Sequence, residues 1–384
     1  MRRPVPPFLP SPPLPPLPAE GGPARRVDYR SRWQQRRRER VTRQRLVIIA
    51  VCVLAAVAVA VAWQRIARPA PAGFRVPGPD ICWLTAGDGF LLVCARSGRL
   101  VRTTPELSGQ ATGWARDFTH PSGFLAPPVL VPGLALIGCA DVRLRAVDVA
   151  TGLQAWELAA GGAVPAVAAR DEHAYFGSED GFMHAATAQG KYVWHTGLGS
   201  PVVARPLVTE EYVIAATLAG EVHCLARDSG ARVWMVETGA PIYAAPRMGP
   251  STIIVGDDAG KVHNITPEGE LVADYAFEGL VRAPAGIADT VVVAGDSAGH
   301  VARINPSDMT EVWRARVPGP VATEPIIHAG LVWCGAGPNL VALDAESGRA
   351  RRRLAAEAET TDVLAAFGRI YWATADGRVR MIDP

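Results

Sequence analysis

A short phrase, a turn followed by an alternating strand, recurs along the chain at a nearly constant spacing. In its last copy the pair Asp376-Gly377 precedes the alternating stretch 378–382, a pattern typical of a β-hairpin. The equivalent turn positions are Gly98, Val142, Gly181, Gly220, Gly260, Gly299, Pro338 and Gly377. Their successive spacings are 44, 39, 39, 40, 39, 39 and 39 residues. A period near 40 with several strands per unit is typical of a β-propeller.

The length of the repeated region gives the number of blades. The 312 residues from 73 to 384 make eight units of 39. Each unit has an alternating apolar strand that ends at a small residue, as Val291–Ala294 ends at Gly295. A small residue at that register suits a strand that a neighbouring sheet approaches closely. The sequence therefore predicts an all-β, eight-bladed β-propeller of four-stranded antiparallel blades over residues 73–384.

The last repeat is one strand short. It stops after the strand Val379–Ile382, whereas the other repeats continue through a second turn into a further strand. The segment Ala72–Val76 precedes the first full repeat and has no partner strand within that repeat. Because an open edge would leave backbone groups unpaired, we predict that this segment supplies the outer strand of blade eight.

A second turn in the repeat is followed by an aromatic residue. The turns are Thr151-Gly152, Gln189-Gly190, Ser229-Gly230, Glu268-Gly269 and Ser347-Gly348. In three repeats a tryptophan stands four residues after this glycine: Trp156, Trp194 and Trp234. Trp313 occupies the equivalent position in a repeat that lacks the glycine, and Trp114 occupies it in the first repeat with an offset of one residue. Two repeats differ, with Ala273 and Arg352 at that position.

These motifs resemble a known repeat. The stretches 341–348 (Val-Ala-Leu-Asp-Ala-Glu-Ser-Gly) and 146–156 (Ala-Val-Asp-Val-Ala-Thr-Gly-Leu-Gln-Ala-Trp) are similar to the repeat of PQQ-type eight-bladed propellers, over roughly residues 74–384. The resemblance implies that the five tryptophans dock each blade onto the turn of the next. The family includes quinoprotein alcohol dehydrogenases, BamB-type outer-membrane assembly lipoproteins and sensor domains of membrane kinases, so it does not select a function.

The N-terminal region has a different composition. Residues 1–45 carry twelve Arg and three acidic residues, with ten Pro before residue 24, and predict a disordered cytoplasmic tail. The 18 uncharged residues 46–63 are close to the length that spans a bilayer, and 64–72 form a linker. The arginines place the N-terminus in the cytoplasm and the propeller outside, in a single-pass inner (cell) membrane protein. A cleaved signal peptide is the alternative, but its apolar region is usually shorter. The prolines of the tail fit two interpretations, a ligand for a proline-recognising protein module and a disordered spacer.

The charge of the rest of the chain excludes one class of partner. Residues 46–384 hold 27 basic and 34 acidic residues, a net charge of −7. Proteins that bind nucleic acid carry Lys and Arg on the folded surface that contacts phosphate. We therefore expect no nucleic-acid binding by the propeller.

No set of residues in the sequence predicts a catalytic, cofactor or metal site. His184, His223 and His263 share one register in consecutive blades. Equivalent positions in neighbouring blades lie about 10 Å apart. That distance is too large for one Zn²⁺ ion with bonds of ~2.1 Å, so we predict a structural role for these histidines.

The cysteines do not match those of the quinone enzymes in the resembling family. Those enzymes carry two adjacent cysteines, and this chain has no adjacent pair. Cys82 and Cys94 flank a turn, and either a disulfide or two ordinary core cysteines fits their spacing.

The hypothesis that follows is a membrane-anchored, extracytoplasmic propeller that acts as a protein-binding scaffold or assembly factor in the cell envelope. Its partner is an envelope protein that the sequence does not identify, and no enzyme activity is expected. The alternatives are a quinoprotein oxidoreductase that depends on PQQ, and a propeller that senses a ligand.

Overall fold

Eight small sheets make up the folded region. The computed structural model describes residues 73–76, 80–107, 113–118, 123–288 and 291–384. Within these residues thirty-two strands form eight four-stranded antiparallel sheets, which confirms the predicted eight-bladed propeller. Seven sheets are built from four consecutive strands, as the repeat predicts.

The first four blades run in chain order, from the innermost strand to the outermost. Blade one consists of β2 (Cys82–Ala86), β3 (Leu91–Ala95), β4 (Arg99–Thr103) and β5 (Ala115–Asp117). Blade two consists of β6 (Val129–Val131), β7 (Leu134–Cys139), β8 (Arg143–Asp148) and β9 (Gln154–Ala159). Blade three consists of β10 (Val167–Arg170), β11 (His173–Gly177), β12 (Phe182–Thr187) and β13 (Tyr192–Gly197). Blade four consists of β14 (Leu207–Val208), β15 (Tyr212–Ala216), β16 (Glu221–Ala226) and β17 (Arg232–Glu237).

The next three blades follow the same order, and blade eight combines both ends of the described region. Blade five consists of β18 (Arg247–Met248), β19 (Ile253–Gly256), β20 (Lys261–Ile265) and β21 (Leu271–Ala276). Blade six consists of β22 (Gly286–Ala288), β23 (Val291–Gly295), β24 (His300–Ile304) and β25 (Glu311–Arg316). Blade seven consists of β26 (Ile326–His328), β27 (Leu331–Gly335), β28 (Asn339–Asp344) and β29 (Ala350–Ala355). Blade eight consists of β30 (Thr360–Ala366), β31 (Arg369–Thr374), β32 (Arg378–Ile382) and β1 (Gly73–Arg75).

The core lies between the faces of neighbouring blades. The second strand of every blade is buried over nearly its whole length, because sheets stacked around a ring cover both of its faces. The outermost strands alternate between covered and exposed positions, as β9 does. This difference explains why the second strands read as apolar runs and the outer strands as mixed sequence.

The strand β1 closes the ring. It pairs antiparallel with β32 through Gly73–Arg380, Phe74–Val379 and Arg75–Arg378. The next residue, Val76, donates its backbone N–H to the carbonyl of Gly377 at 2.8 Å and is 1% exposed. The prediction that this segment supplies the missing outer strand of blade eight is confirmed.

The turn that defines the repeat uses the left-handed backbone region. Six of its eight positions are glycines with φ between +79° and +95°. Val142 takes the same position in blade two with φ +61°, although a β-branched residue is disfavoured there. In blade seven, proline occupies the position and cannot adopt a positive φ. The preceding residue, Gly337, supplies it instead, with φ +55°.

The predicted tail (1–45), membrane span (46–63) and linker (64–72) lie outside the described residues. Among the residues that are described, no helix is long and apolar enough to span a bilayer.

Candidate functional site

The predicted tryptophans sit between blades. The indole N–H of Trp156 in β9 donates to the carbonyl of Ala188, in the second turn of blade three, at 2.8 Å. Gly190 in that turn has φ +77°, and a Cβ built on it would lie 2.7 Å from the indole ring. The turn therefore requires glycine for its backbone angle and for the space that the ring occupies.

The other four tryptophans repeat this geometry. The indole N–H groups of Trp114, Trp194, Trp234 and Trp313 donate to the carbonyls of Val149, Arg227, Pro267 and Ala345 at 2.8–3.0 Å. The rings cover the turn glycines Gly152, Gly230, Gly269 and Gly348 of the following blades. Each tryptophan thus links one blade to the next by a hydrogen bond and by packing.

Where the tryptophan is missing, another side chain forms the link. In blade five, which has Ala273, the amide of Asn264 in the neighbouring strand donates to the carbonyl of Pro306 in blade six at 2.8 Å. In blade seven, Arg352 donates to the carbonyl of Asp383 at 2.9 Å. These links are not visible in the repeat pattern, because Asn264 stands on a different strand from the tryptophan it replaces.

The three histidines at one register are each bound within their own blade. Ring nitrogens of His184, His223 and His263 lie 3.2 Å from Ser178 Oγ, 3.1 Å from Glu221 Oε2 and 2.8 Å from Asp257 Oδ2. All three are buried, and burial lowers the pKa of His184 to about 4. Across the described ranges, no three His, Cys, Asp or Glu side chains are arranged to hold a metal ion.

The group around His184 is not a catalytic triad. In such a triad the carboxylate orients the histidine, and the histidine activates the hydroxyl. Here the hydroxyl of Ser178 bonds both to Asp180 and to His184, so that the carboxylate bonds the serine rather than the ring. With Ser178 fully buried, the group holds the turn of blade three together.

The cysteines of the propeller are free and buried. Strand pairing places Cys82 opposite Ala95 and Cys94 opposite Trp83, so the disulfide weighed for Cys82 and Cys94 is not formed. Burial raises the pKa of Cys82 and of Cys334 to about 12. Such thiols stay protonated at neutral pH and act as core residues.

A cavity of about 540 Å³, which we call the axial channel, lies against the innermost strands of the propeller. Its walls come from the innermost strands and the segments just before them, in blades one, two, four, seven and eight. Most of the lining side chains are apolar, including Leu84, Val129, Ile326 and Leu364. A cavity of this size with apolar walls and a few polar groups is the usual form of a small-molecule site.

Four charged side chains meet at this channel. Arg205, Glu324 and Asp362 line it, and Arg247 of β18 forms an ion pair with Glu324. Arg205 makes no hydrogen bond or ion pair to any residue that the structure describes. Burial lowers the pKa of both guanidinium groups, that of Arg247 to about 10.

The carboxylate of Asp362 is held by backbone N–H groups. Its oxygens accept hydrogen bonds from the N–H of Leu84 at 2.7 Å and of Val363 at 2.9 Å. Burial nevertheless raises the pKa of Asp362 to about 7, because the low-dielectric surroundings disfavour the charged form more than these bonds and Arg205 favour it. Asp362 therefore changes charge near neutral pH.

This channel is not apparent from the repeat pattern of the sequence. Its charged residues are up to 157 positions apart in the chain and meet only when the ring closes. One signal was present: Arg205 and Glu324 each stand three residues after a valine (Val202 and Val321) and directly before a proline. Two opposite charges at one register, where most repeats carry an apolar residue, indicate a site on the axis.

A row of exposed valines follows the outer rim of four consecutive blades. Each valine directly precedes the docking position of the repeat, and the four are exposed by 45–55%: Val193, Val233, Val272 and Val312. The same register carries Gly113, Ala155 and Arg351 in blades one, two and seven. Tyr192, Met235 and Leu271 beside the row are also more than 40% exposed. We call the four valines the rim row.

Comparisons with known proteins identify the repeat. The family model described as outer membrane protein assembly factor BamB matches residues 140–280 and 219–384. No sequence among the curated proteins matches this chain.

Several solved structures share the fold. The computationally designed Ika8 protein is 18% identical with a TM-score of 0.74, and covers 82% of this chain and 100% of its own. BamB from Moraxella catarrhalis is 17% identical with a TM-score of 0.70, over 80% of this chain and 97% of its own. Sqt1 from Saccharomyces cerevisiae is 9% identical with a TM-score of 0.70, over 81% and 98%. The structural likeness shows the fold, and the matched residues, more than half of the chain, show that this propeller belongs to the family of the outer membrane protein assembly factor BamB.

Proposed function

We propose that this protein is a non-catalytic scaffold of the cell envelope, which holds a partner protein on the outer rim of its propeller. The observation that carries the proposal is the rim row. Valine recurs at one exposed position in four consecutive blades, whereas the buried positions of the repeat already account for its packing. Exposed apolar side chains grouped on one part of a surface are typical of protein–protein interaction sites.

The family supports the same function. The matching model is named for an outer membrane protein assembly factor, which is a protein that acts on other proteins. The register of the rim row carries valine in blades three to six and Arg351 in blade seven, so it distinguishes one part of the rim from the rest. Tyrosine and methionine are enriched in protein interfaces, and Tyr192 and Met235 are exposed beside the rim row.

The envelope location rests on the sequence. The uncharged residues 46–63 have the length of a membrane span, and twelve arginines precede them. An anchor at that point would hold the propeller beside the membrane, where an envelope protein could reach it. We propose that the partner is such an envelope protein.

The test is cross-linking of the tagged full-length protein in its own cells, followed by purification and identification of the partners. The double variant Val233→Glu/Val272→Glu places two charges in the rim row, and Ala155→Glu places one at the same register in blade two. We expect one envelope protein to be captured by the wild type and by Ala155→Glu, and lost with the double variant. Capture that is unchanged by the double variant would show that the rim row is not the binding surface.

A further inference from the structure

We propose that the axial channel is a binding site for a small monocarboxylate with an apolar body, whose carboxylate pairs with Arg205. The site lies on the innermost strands, and the rim row lies on the outermost strands, so the two are separate surfaces of the propeller. The proposal does not depend on the protein partner.

The charge balance of the channel identifies the ligand's charged group. Glu324 is paired with Arg247. The oxygens of Asp362 accept hydrogen bonds from the N–H groups of Leu84 and Val363, so Asp362 acts on Arg205 through its charge and not through a hydrogen bond. Arg205 faces the same channel and has no hydrogen-bonding partner among the described residues, so it is the cation available to an incoming anion. A guanidinium binds a carboxylate through two parallel hydrogen bonds.

The walls identify the rest of the ligand. The channel is lined by Leu84, Val129, Ile326 and Leu364, with the prolines Pro127 and Pro128 beside them. An aliphatic or aromatic body would bury apolar surface against these side chains, which contributes roughly 25 cal/mol per Å². A highly charged ligand such as a tricarboxylate would leave charges facing these apolar walls.

Asp362 makes the site sensitive to pH. The charged groups that face it across the channel are Arg205 before β14, Glu324 before β26, and Arg247 of β18 through its pair with Glu324. When Asp362 is protonated, Arg205 is left to the ligand. When pH rises through the pKa of Asp362, its carboxylate competes for Arg205 and repels the bound anion. Binding should therefore weaken as pH rises from 6 to 8.

Octanoate is a suitable probe, with octanamide as its uncharged counterpart. The full-length protein is titrated by calorimetry in a detergent with an uncharged headgroup, at octanoate concentrations too low for octanoate to form micelles. At pH 6 we expect octanoate to bind and octanamide to show no comparable binding. Arg205→Gln should weaken octanoate binding at least about tenfold, a factor that corresponds to 1.4 kcal/mol. Arg205→Lys should retain part of the affinity, because it keeps the charge but not the bidentate geometry.

Two further variants serve as a control for arginine removal and as a test of the pH dependence of octanoate binding. Arg282→Gln removes an arginine that is already paired with Asp258 at 2.7 Å and lies outside the channel lining, so octanoate binding should be unchanged. Asp362→Asn should bind octanoate equally at pH 6 and pH 8. If Arg205→Gln does not fold, the comparison of octanoate with octanamide and the pH dependence of the wild type still decide. Equal binding of the two probes, or affinity that does not fall with pH, would overturn the proposal.

Discussion

Val142 shows how one residue can depart from the repeat without changing it. It occupies the turn position that is glycine in six other blades, and it keeps the same left-handed backbone angle, φ +61°. An L-residue in this region costs roughly 1–2 kcal/mol. The exposed fraction of Val142 is 39%, so little apolar burial offsets that cost.

We predict that Val142→Gly stabilises the propeller. Relief of the strained backbone should exceed the conformational entropy that glycine adds to the unfolded chain, leaving a net gain of about 0.5–1 kcal/mol. The reverse change, Gly181→Val in the equivalent turn of blade three, should destabilise it. Denaturant unfolding of the three proteins measures both effects. A Val142→Gly protein less stable than the wild type would show that this turn is not strained.

The docking tryptophans allow a second prediction at this scale. Trp194 is 8% exposed and its indole N–H is bonded, so Trp194→Ala should lower the free energy of unfolding by roughly 3–5 kcal/mol. Trp156 is less buried, and Trp156→Ala should cost less. Leu153→Ala changes a side chain that is 59% exposed and should cost nothing measurable. Equal, small losses for all three variants in the same unfolding experiment would contradict the docking role.

At the scale of strands and blades, the sequence was most informative where a rule repeats. Strand alternation, the turn glycines and the 39-residue period predict the eight blades, and the strand missing from the last repeat predicts the closure by β1. The links that replace a missing tryptophan were not predictable, because Asn264 and Arg352 carry no repeated signal. The conformation of the turn at Pro338 likewise depends on Gly337, one residue before the expected position.

Closure of the ring by β1 can be tested by deleting this strand. Deleting residues 73–76 removes the outer strand of blade eight and the buried side chain of Val76, which packs with Val379 and Tyr371. We predict a lower melting temperature by several degrees, together with faster amide hydrogen exchange in β32, whose edge is then unpaired. Val76→Ser, which keeps the strand but places a polar side chain in the core, should lower the melting temperature less. Unchanged exchange in β32 would contradict the closure.

At the scale of the whole molecule, the axial channel is the feature that the repeat pattern did not predict. A repeat describes what the blades share, and the channel is made from what they do not share: Arg205, Arg247, Glu324 and Asp362 come from four blades and meet only in the closed ring. The predicted histidine register shows the opposite case. A repeated polar residue there serves each blade separately, because each histidine ring bonds a side chain of its own blade.

Membrane topology is a prediction for the entire chain. Twelve arginines before residue 46 place the N-terminus in the cytoplasm if residues 46–63 span the membrane. A reporter that is active only in the cytoplasm should then be silent when fused after Pro384 and active when fused before Met1. An active reporter after Pro384 would show that the propeller is not extracytoplasmic.

Binding of a partner protein to the rim row of blades three to six is tested most directly by site-specific photocrosslinking. A photoreactive amino acid placed in turn at Val193, Val233, Val272 and Val312 should yield, in intact cells, a crosslinked product with one and the same envelope protein. The same residue at Ala155, at the equivalent position of blade two, should yield none. Products of equal yield at Ala155 and in the rim row, or no product from any of the four valines, would contradict the scaffold function proposed for this surface.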